Sequence, residues 1–207
     1  CNSKPSSAGL CRGPDALPVL MTTPSSLFVG FDLDGVILDH TTNKIRLAAR
    51  YGVHLTPEET HAERMGSLLP LDAYREIKAE LYNAPGELEH STLMQGAFDG
   101  LATLRDYGVS YALISLQQNP IHAQHLLEHH GLWGEYFTPE NMYFAKNGEE
   151  KSRFASEIGV THFVDDEANI LSLMPQVPHR ILFDSFDQFS PEPDLLRVRS
   201  WSELVPL

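Results

Sequence analysis

Apolar residues follow two different patterns along the chain, and the change between them comes near residue 96. From 97 onward, stretches with apolar positions at helical spacing alternate with short apolar runs. Helices are predicted over 97–107, 120–130, 149–158 and 167–174, and strands over 111–116, 142–145, 161–164 and 180–183. That alternation predicts a parallel sheet covered by helices on both faces, a doubly wound α/β architecture. An earlier apolar run, 27–30, predicts the first strand and leads directly into Phe31-Asp32-Leu33-Asp34-Gly35-Val36. Between this turn and 96 the pattern is helical throughout. Ile45, Leu47, Ala48 and Ala49 mark a helix over 41–53, Thr56-Pro57-Glu58-Glu59 has the form of a helix start, and Leu71, Tyr74, Ile77, Leu81 and Tyr82 mark a helix over 71–82. The expected organisation is a disordered leader over 1–24, a core made of 25–40 and 96–207, and a small α-helical cap inserted over 41–95.

Composition narrows the class of protein. With 207 residues and 42% apolar content there is enough material for one good core and an appendage, and no sign of a disordered or disulfide-built chain. A net charge of −13, from 28 acids against 15 Lys and Arg, works against nucleic acid or an anionic membrane as partner. A small phosphorylated metabolite stays compatible, because a bound metal and one lysine can reverse the field locally. Both cysteines, Cys1 and Cys11, lie in the Pro/Ser/Gly-rich leader, so the folded part is expected to suit a reducing, cytoplasmic setting. No run approaches the roughly 18 apolar residues of a membrane span. Met21-Thr22-Thr23-Pro24 reads as a natural start, which makes 1–20 an expected upstream extension, with a lipid-modified Cys1 as the alternative.

The chemistry gathers where strands end. Asp32 and Asp34 are two residues apart on an extended segment and share a face, where they repel unless a cation or a proton separates them. The simpler reading is a polar strand end with a turn Asp and Gly. In a doubly wound sheet, however, ligands bind at the carboxyl ends of the strands. Ser115 ends the second core strand, Asp165-Asp166 end the fourth, and Lys151 opens the helix between the third and fourth, with Lys146 as its rival. Taken singly, Ser115 is an ordinary hydroxyl and Asp166 a helix cap. Lys44, Arg46, Arg50, Arg64, Arg75 and Lys78 in the helical block read as a solvated face before a substrate clamp. His122, His125 and His129 share one helix face, yet no Cys or acid completes a tetrahedral metal set with them.

In order and placement, D-L-D-G-V at 32–36, the Ser of A-L-I-S at Ser115, the helix-start Lys151 and V-D-D-E-A-N at 164–169 resemble the four motifs of the haloacid dehalogenase-like (HAD) superfamily. The resemblance spans about residues 26 to 184, and the inserted helices resemble the small cap of its phosphoglycolate phosphatase-like branch. It implies a Rossmann-like HAD core and a phosphatase that hydrolyses a small phosphorylated metabolite through an aspartyl phosphate. Asp32 would be the nucleophile and Asp34 the general acid and base, while Ser115 and Lys151 would hold the phosphoryl oxygens. Mg²⁺ would sit on Asp32, the Asp34 carbonyl and Asp166, with Asp165 alongside. A phosphomutase of the β-phosphoglucomutase type is the alternative within the superfamily. A receiver-like phosphoacceptor domain is disfavoured, because receivers carry the acidic pair on the first strand and the Lys last. Gln95-Gly96 stands where the branch often has Pro-Gly, and Gln117-Gln118 follows Ser115 where Asn is common. Both departures bear on substrate and subfamily rather than on the catalytic groups. An acid at Asp34, which true dehalogenases of the superfamily lack, implies a phosphate ester as substrate.

Overall fold

Strands that are buried on both faces need apolar side chains on both, and the strands of this protein supply them. The computed structural model describes residues 27–84, 86, 90–190 and 192–206. The expected leader over 1–24 lies outside these. The chain enters through β1 (Phe28–Phe31) and β2 (Leu38–Asp39), then forms α1 (Thr41–Ala49), α2 (Ala62–Leu68) and α3 (Leu71–Asn83) before returning through β3 (Thr92–Leu93). It continues as α4 (Ala97–Asp106), β4 (Ser110–Ser115), α5 (Pro120–His129), β5 (Met142–Phe144), α6 (Gly148–Glu157), β6 (His162–Asp165) and α7 (Ala168–Ser172). β7 (His179–Phe183), β8 (Leu196–Val198) and α8 (Trp201–Leu204) complete it.

Six strands form one parallel sheet in the order β5-β4-β1-β6-β7-β8. Val29, Phe31 and Leu113 pack with residues of α4, α5 and α8 on one face, whereas Ile114 and Phe163 pack with α6 and α7 on the other. The architecture is the doubly wound α/β sheet expected from the hydrophobic pattern. Strand order reverses at β1, so the chain moves outward to β4 on one side and to β6 on the other. A crevice opens at the carboxyl ends of these three strands.

Helices α1 to α3 carry an apolar cluster of their own, built on Leu47, Met65, Leu69, Ile77 and Leu81. Thr56 caps only a single 3-10 turn, Pro57–Thr60, in a capping box with Glu59. His61 is extended at ψ 139° and separates this turn from α2, so the predicted helix start is one turn long. Two features have no periodic signal behind them. The two-residue ladder that pairs Leu38 with Leu93 and Asp39 with Thr92 joins the entry and exit of the helical block. At the other end of the chain, β8 and α8 bring Trp201 onto Phe31, with ring centroids 5.2 Å apart and the indole Nε1 donating to the Val36 carbonyl at 2.8 Å. Among the described residues no helix is long and apolar enough to cross a membrane.

Candidate active site

Asp32 is the first residue beyond β1, and its amide continues the ladder by donating to the Val164 carbonyl at 2.9 Å. Its two neighbours in the sheet end in Ser115 and Asp165, so Asp32, Ser115 and Asp165 stand side by side at one edge. Helix α6 starts at the Asn147 cap, whose side chain accepts from the Glu150 amide, and this phase puts Lys151 one turn in, facing the sheet. Lys151 is buried and donates to Asp32 Oδ1 at 2.5 Å and to Asp165 Oδ2 at 2.7 Å. Its rival Lys146 is exposed, and its backbone amide donates to Glu150. The other oxygen of Asp165 accepts from the Glu167 amide at 2.9 Å. Ser115 Oγ, also buried, accepts from the Gln117 amide at 3.1 Å, which leaves its own proton free to donate.

Gly35 shapes the approach of the last acid. It has φ +85°, and a Cβ there would lie 2.2 Å from Asp166 Oδ2, so only glycine lets this carboxylate come up against the turn. The turn closes with the Gly35 amide donating to the Leu38 carbonyl, which folds 38–40 back over Asp34. His40 is thereby brought 2.7 Å from Asp34 Oδ1 through its Nε2, with Ser91 Oγ 3.4 Å from its Nδ1. Nε2 can donate to the Asp34 carboxylate or accept from the Asp34 carboxyl, so the contact serves either protonation state of the pair. The motif reading did not single out His40, and its sequence offers no periodic signal for the contact.

The electrostatics follow from burial. Burial pushes Asp32 up to about 8; Lys151 opposes this, while Asp165 and Asp34 add to it. Burial alone would lower Lys151, but Asp165 and Asp32 outweigh it and hold the ammonium above its usual value, so it stays charged. Asp166 is held well above the ordinary carboxylate range by burial first and then by Asp165 and Asp32. Carboxylate oxygens of Asp32, Asp165 and Asp166 lie within 4.8 Å of one another. One ammonium does not offset this concentration of charge, and the donors are all hard oxygens. The set fits a hard divalent cation. The side chain of Asp34 faces His40 instead of this cluster. Among the described residues, His122 is buried with its Nε2 unpartnered, His125 and His129 are exposed, and the three form no metal-capable group.

The acids line a cavity of about 320 Å³ whose far wall comes from the helical block through Lys44, Lys78, Tyr82 and Asn83. The block is tied to the core by His61 Nε2 on the Asp166 carbonyl at 3.2 Å, Asn119 donating to Asn83 at 3.1 Å and Gln188 donating to the Glu58 carbonyl at 2.7 Å. Of the other basic residues there, Arg50 pairs with Glu80, Arg75 with Asp72, Arg46 donates to Asn43, and Arg64 is exposed.

No protein-family model matches the sequence, and no curated protein matches it. Solved structures do match the fold. A HAD family hydrolase from Deinococcus radiodurans, crystallised with phosphate and sodium, superposes with TM-score 0.57 at 20% identity, covering 86% of this chain and 93% of that one. A predicted phosphatase from Clostridium acetobutylicum gives TM-score 0.63 at 15% identity over 87% and 97% of the two chains. A subfamily IA HAD hydrolase from Geobacter sulfurreducens gives 0.56 at 15% identity over 87% and 95%. The doubly wound sheet with its inserted helices is the fold of the HAD-superfamily hydrolases.

Proposed function

We propose that the protein is a Mg²⁺-dependent phosphatase that hydrolyses a small phosphorylated metabolite through an aspartyl phosphate on Asp32. One observation carries this reading. The two acids of a single turn have opposite partners: Asp32 is tied to the Lys151 ammonium at the sheet edge, and Asp34 to the His40 imidazole on the side of the helical block. This supports a division of labour in which one carboxylate attacks and the other exchanges protons with whatever lies above it. The phosphate bound in the Deinococcus structure and the predicted phosphatase from Clostridium among the fold relatives support the same direction.

Asp32 attacks phosphorus with a carboxylate oxygen, and the bond from phosphorus to the leaving oxygen breaks as Asp34 gives that oxygen a proton. A water then loses its proton to Asp34 and attacks the same phosphorus. The bond to Asp32 breaks, inorganic phosphate leaves, and both acids return to their starting states. Lys151 and the Ser115 hydroxyl hold the phosphoryl oxygens and offset charge developing on them. The Asp32, Asp165 and Asp166 carboxylates and the Asp34 carbonyl would hold Mg²⁺, which when bound neutralises charge on the phosphate oxygens. Residues 41–95 act as the cap, keeping bulk water from the intermediate and contacting the leaving group.

The test is phosphate release from an aryl phosphate with Mg²⁺. The parent should turn over, chelation with EDTA should stop it and added Mg²⁺ restore it, and Asp32→Asn should remove essentially all release. An Asp32→Asn variant within tenfold of the parent, or full activity after exhaustive chelation, overturns the assignment.

A further inference from the structure

The loop that follows Ser115 carries two adjacent glutamines with opposite fates. The Gln118 amide is committed to the main chain, donating to the Leu116 carbonyl at 2.8 Å and the Ala145 carbonyl at 3.1 Å. Gln117 is only 5% exposed and lines the active-site cavity, and among the described residues neither its Nε2 nor its Oε1 has a hydrogen-bond partner. A buried primary amide with both its donor and its acceptor uncommitted is costly, and native structures tolerate such a group where a ligand completes it. The backbone of Gln117 is pinned by its own amide on Ser115 Oγ, so the side chain extends from a fixed point next to the hydroxyl assigned to the phosphoryl group.

The charges around the cavity say which ligand group that amide suits. Lys44 and Lys78 line the same cavity from the helical block, with the Lys78 ammonium 5.6 Å from the Tyr74 ring centroid. Leu116, Gln118 and Asn119, the lining residues that flank Gln117 in the chain, and Asn83, to which Asn119 donates, are all neutral. A carboxylate or a second phosphate on the leaving group would take the amide's N–H and leave its carbonyl oxygen against an anion. A hydroxyl both donates and accepts, so it satisfies both atoms of the amide.

We propose that Gln117 is the specificity-determining residue of the core and that it reads a neutral hydroxyl beside the ester oxygen, making the substrate class a polyol or sugar monophosphate. This rests on the phosphatase reading above. A site built to hydrogen-bond a hydroxyl rejects the analogue that lacks it more strongly than a merely apolar pocket discriminates by size.

The experiment compares kcat/KM for two pairs of esters, glycerol 1-phosphate against n-propyl phosphate and sorbitol 6-phosphate against n-hexyl phosphate, in the parent and in Gln117→Met and Gln117→Glu. An aryl phosphate is run alongside in all three proteins. In the parent, at least one polyol ester should be preferred over its alkyl partner by on the order of tenfold or more. Gln117→Met should bring that ratio close to one, and Gln117→Glu, which keeps an acceptor but loses the donor, should leave an intermediate ratio. Aryl phosphate hydrolysis by the parent without a polyol preference in either pair, or a preference that survives Gln117→Met in soluble, aryl-active protein, overturns the role of Gln117 and leaves the phosphatase reading standing. No hydrolysis of any ester by the parent, the aryl phosphate included, overturns both.

Discussion

Replacing Lys151 with Met removes the ammonium bonded to the buried Asp32 and Asp165 while keeping an apolar stem of similar length. Lys151 is 1% exposed and joins Asp32 and Asp165 at 2.5 and 2.7 Å, so water screens neither contact. Breaking a buried ion pair from one side leaves an uncompensated charge and costs about 3–5 kcal/mol. The magnitude depends on pH. Lys151 holds Asp32 at about 8, below what burial alone would impose, so removing it raises Asp32 further and the cost grows above that pH, where the parent's Asp32 is ionised. In the parent, the same raised Asp32 favours folding fully below its ordinary value of 3.8, and that contribution is lost as pH rises toward about 8. Urea titrations in EDTA at pH 6.5 and pH 9 should therefore show Lys151→Met destabilised at both and more so at pH 9. Adding Asp165→Asn removes one of the stranded acids and should recover part of the loss. Mg²⁺ should stabilise Lys151→Met, because a divalent cation can replace the missing positive charge. A cost under about 1 kcal/mol, or no recovery from Asp165→Asn, would show that the lysine does not balance this cluster.

Gly35→Ala forces an L side chain to φ +85° and sets its Cβ 2.2 Å from Asp166 Oδ2, so Mg²⁺ affinity by calorimetry should fall at least tenfold; unchanged affinity would remove Asp166 from the metal set. His122, His130 and His162 are all held below the usual histidine value, chiefly by burial, so the unfolded chain binds more protons than the native one as pH falls below about 6.5. Stability by urea titration should drop across that range, and His122→Gln should flatten the drop; an identical slope would count against a native, uncharged His122. Trp201→Ala removes a buried indole stacked on Phe31 and hydrogen-bonded to Val36, and should cost about 3–5 kcal/mol by denaturation; a loss under about 1 kcal/mol would mean that α8 does not brace β1.

Much of this molecule is legible without its tertiary structure because period and strand ends are local properties. Apolar runs of strand length alternate with helical spacing, and that alone specifies a parallel sheet with helices on both faces, within a residue or two at most element ends. Asp32, Ser115 and Asp165 are legible for the same reason, since each stands at the end of an apolar run and strand ends in this architecture converge. β2, β3, β8 and α8 are not legible: they show no apolar run or helical period of their own and form through partners far away in sequence, as Trp201 does at Val36. Helix phase separates Lys151 from Lys146, because the Asn147 cap determines which lysine turns toward the sheet. His40 reaches Asp34 only because the glycine turn folds back on Leu38. Gln117 and Gln118 are identical neighbours in the sequence. They differ because the Ala145 carbonyl, 27 residues on, takes the amide of one, while burial at the cavity leaves the other without a partner among the described residues: composition dictates what groups are available, and only the folded backbone decides which of them find a partner.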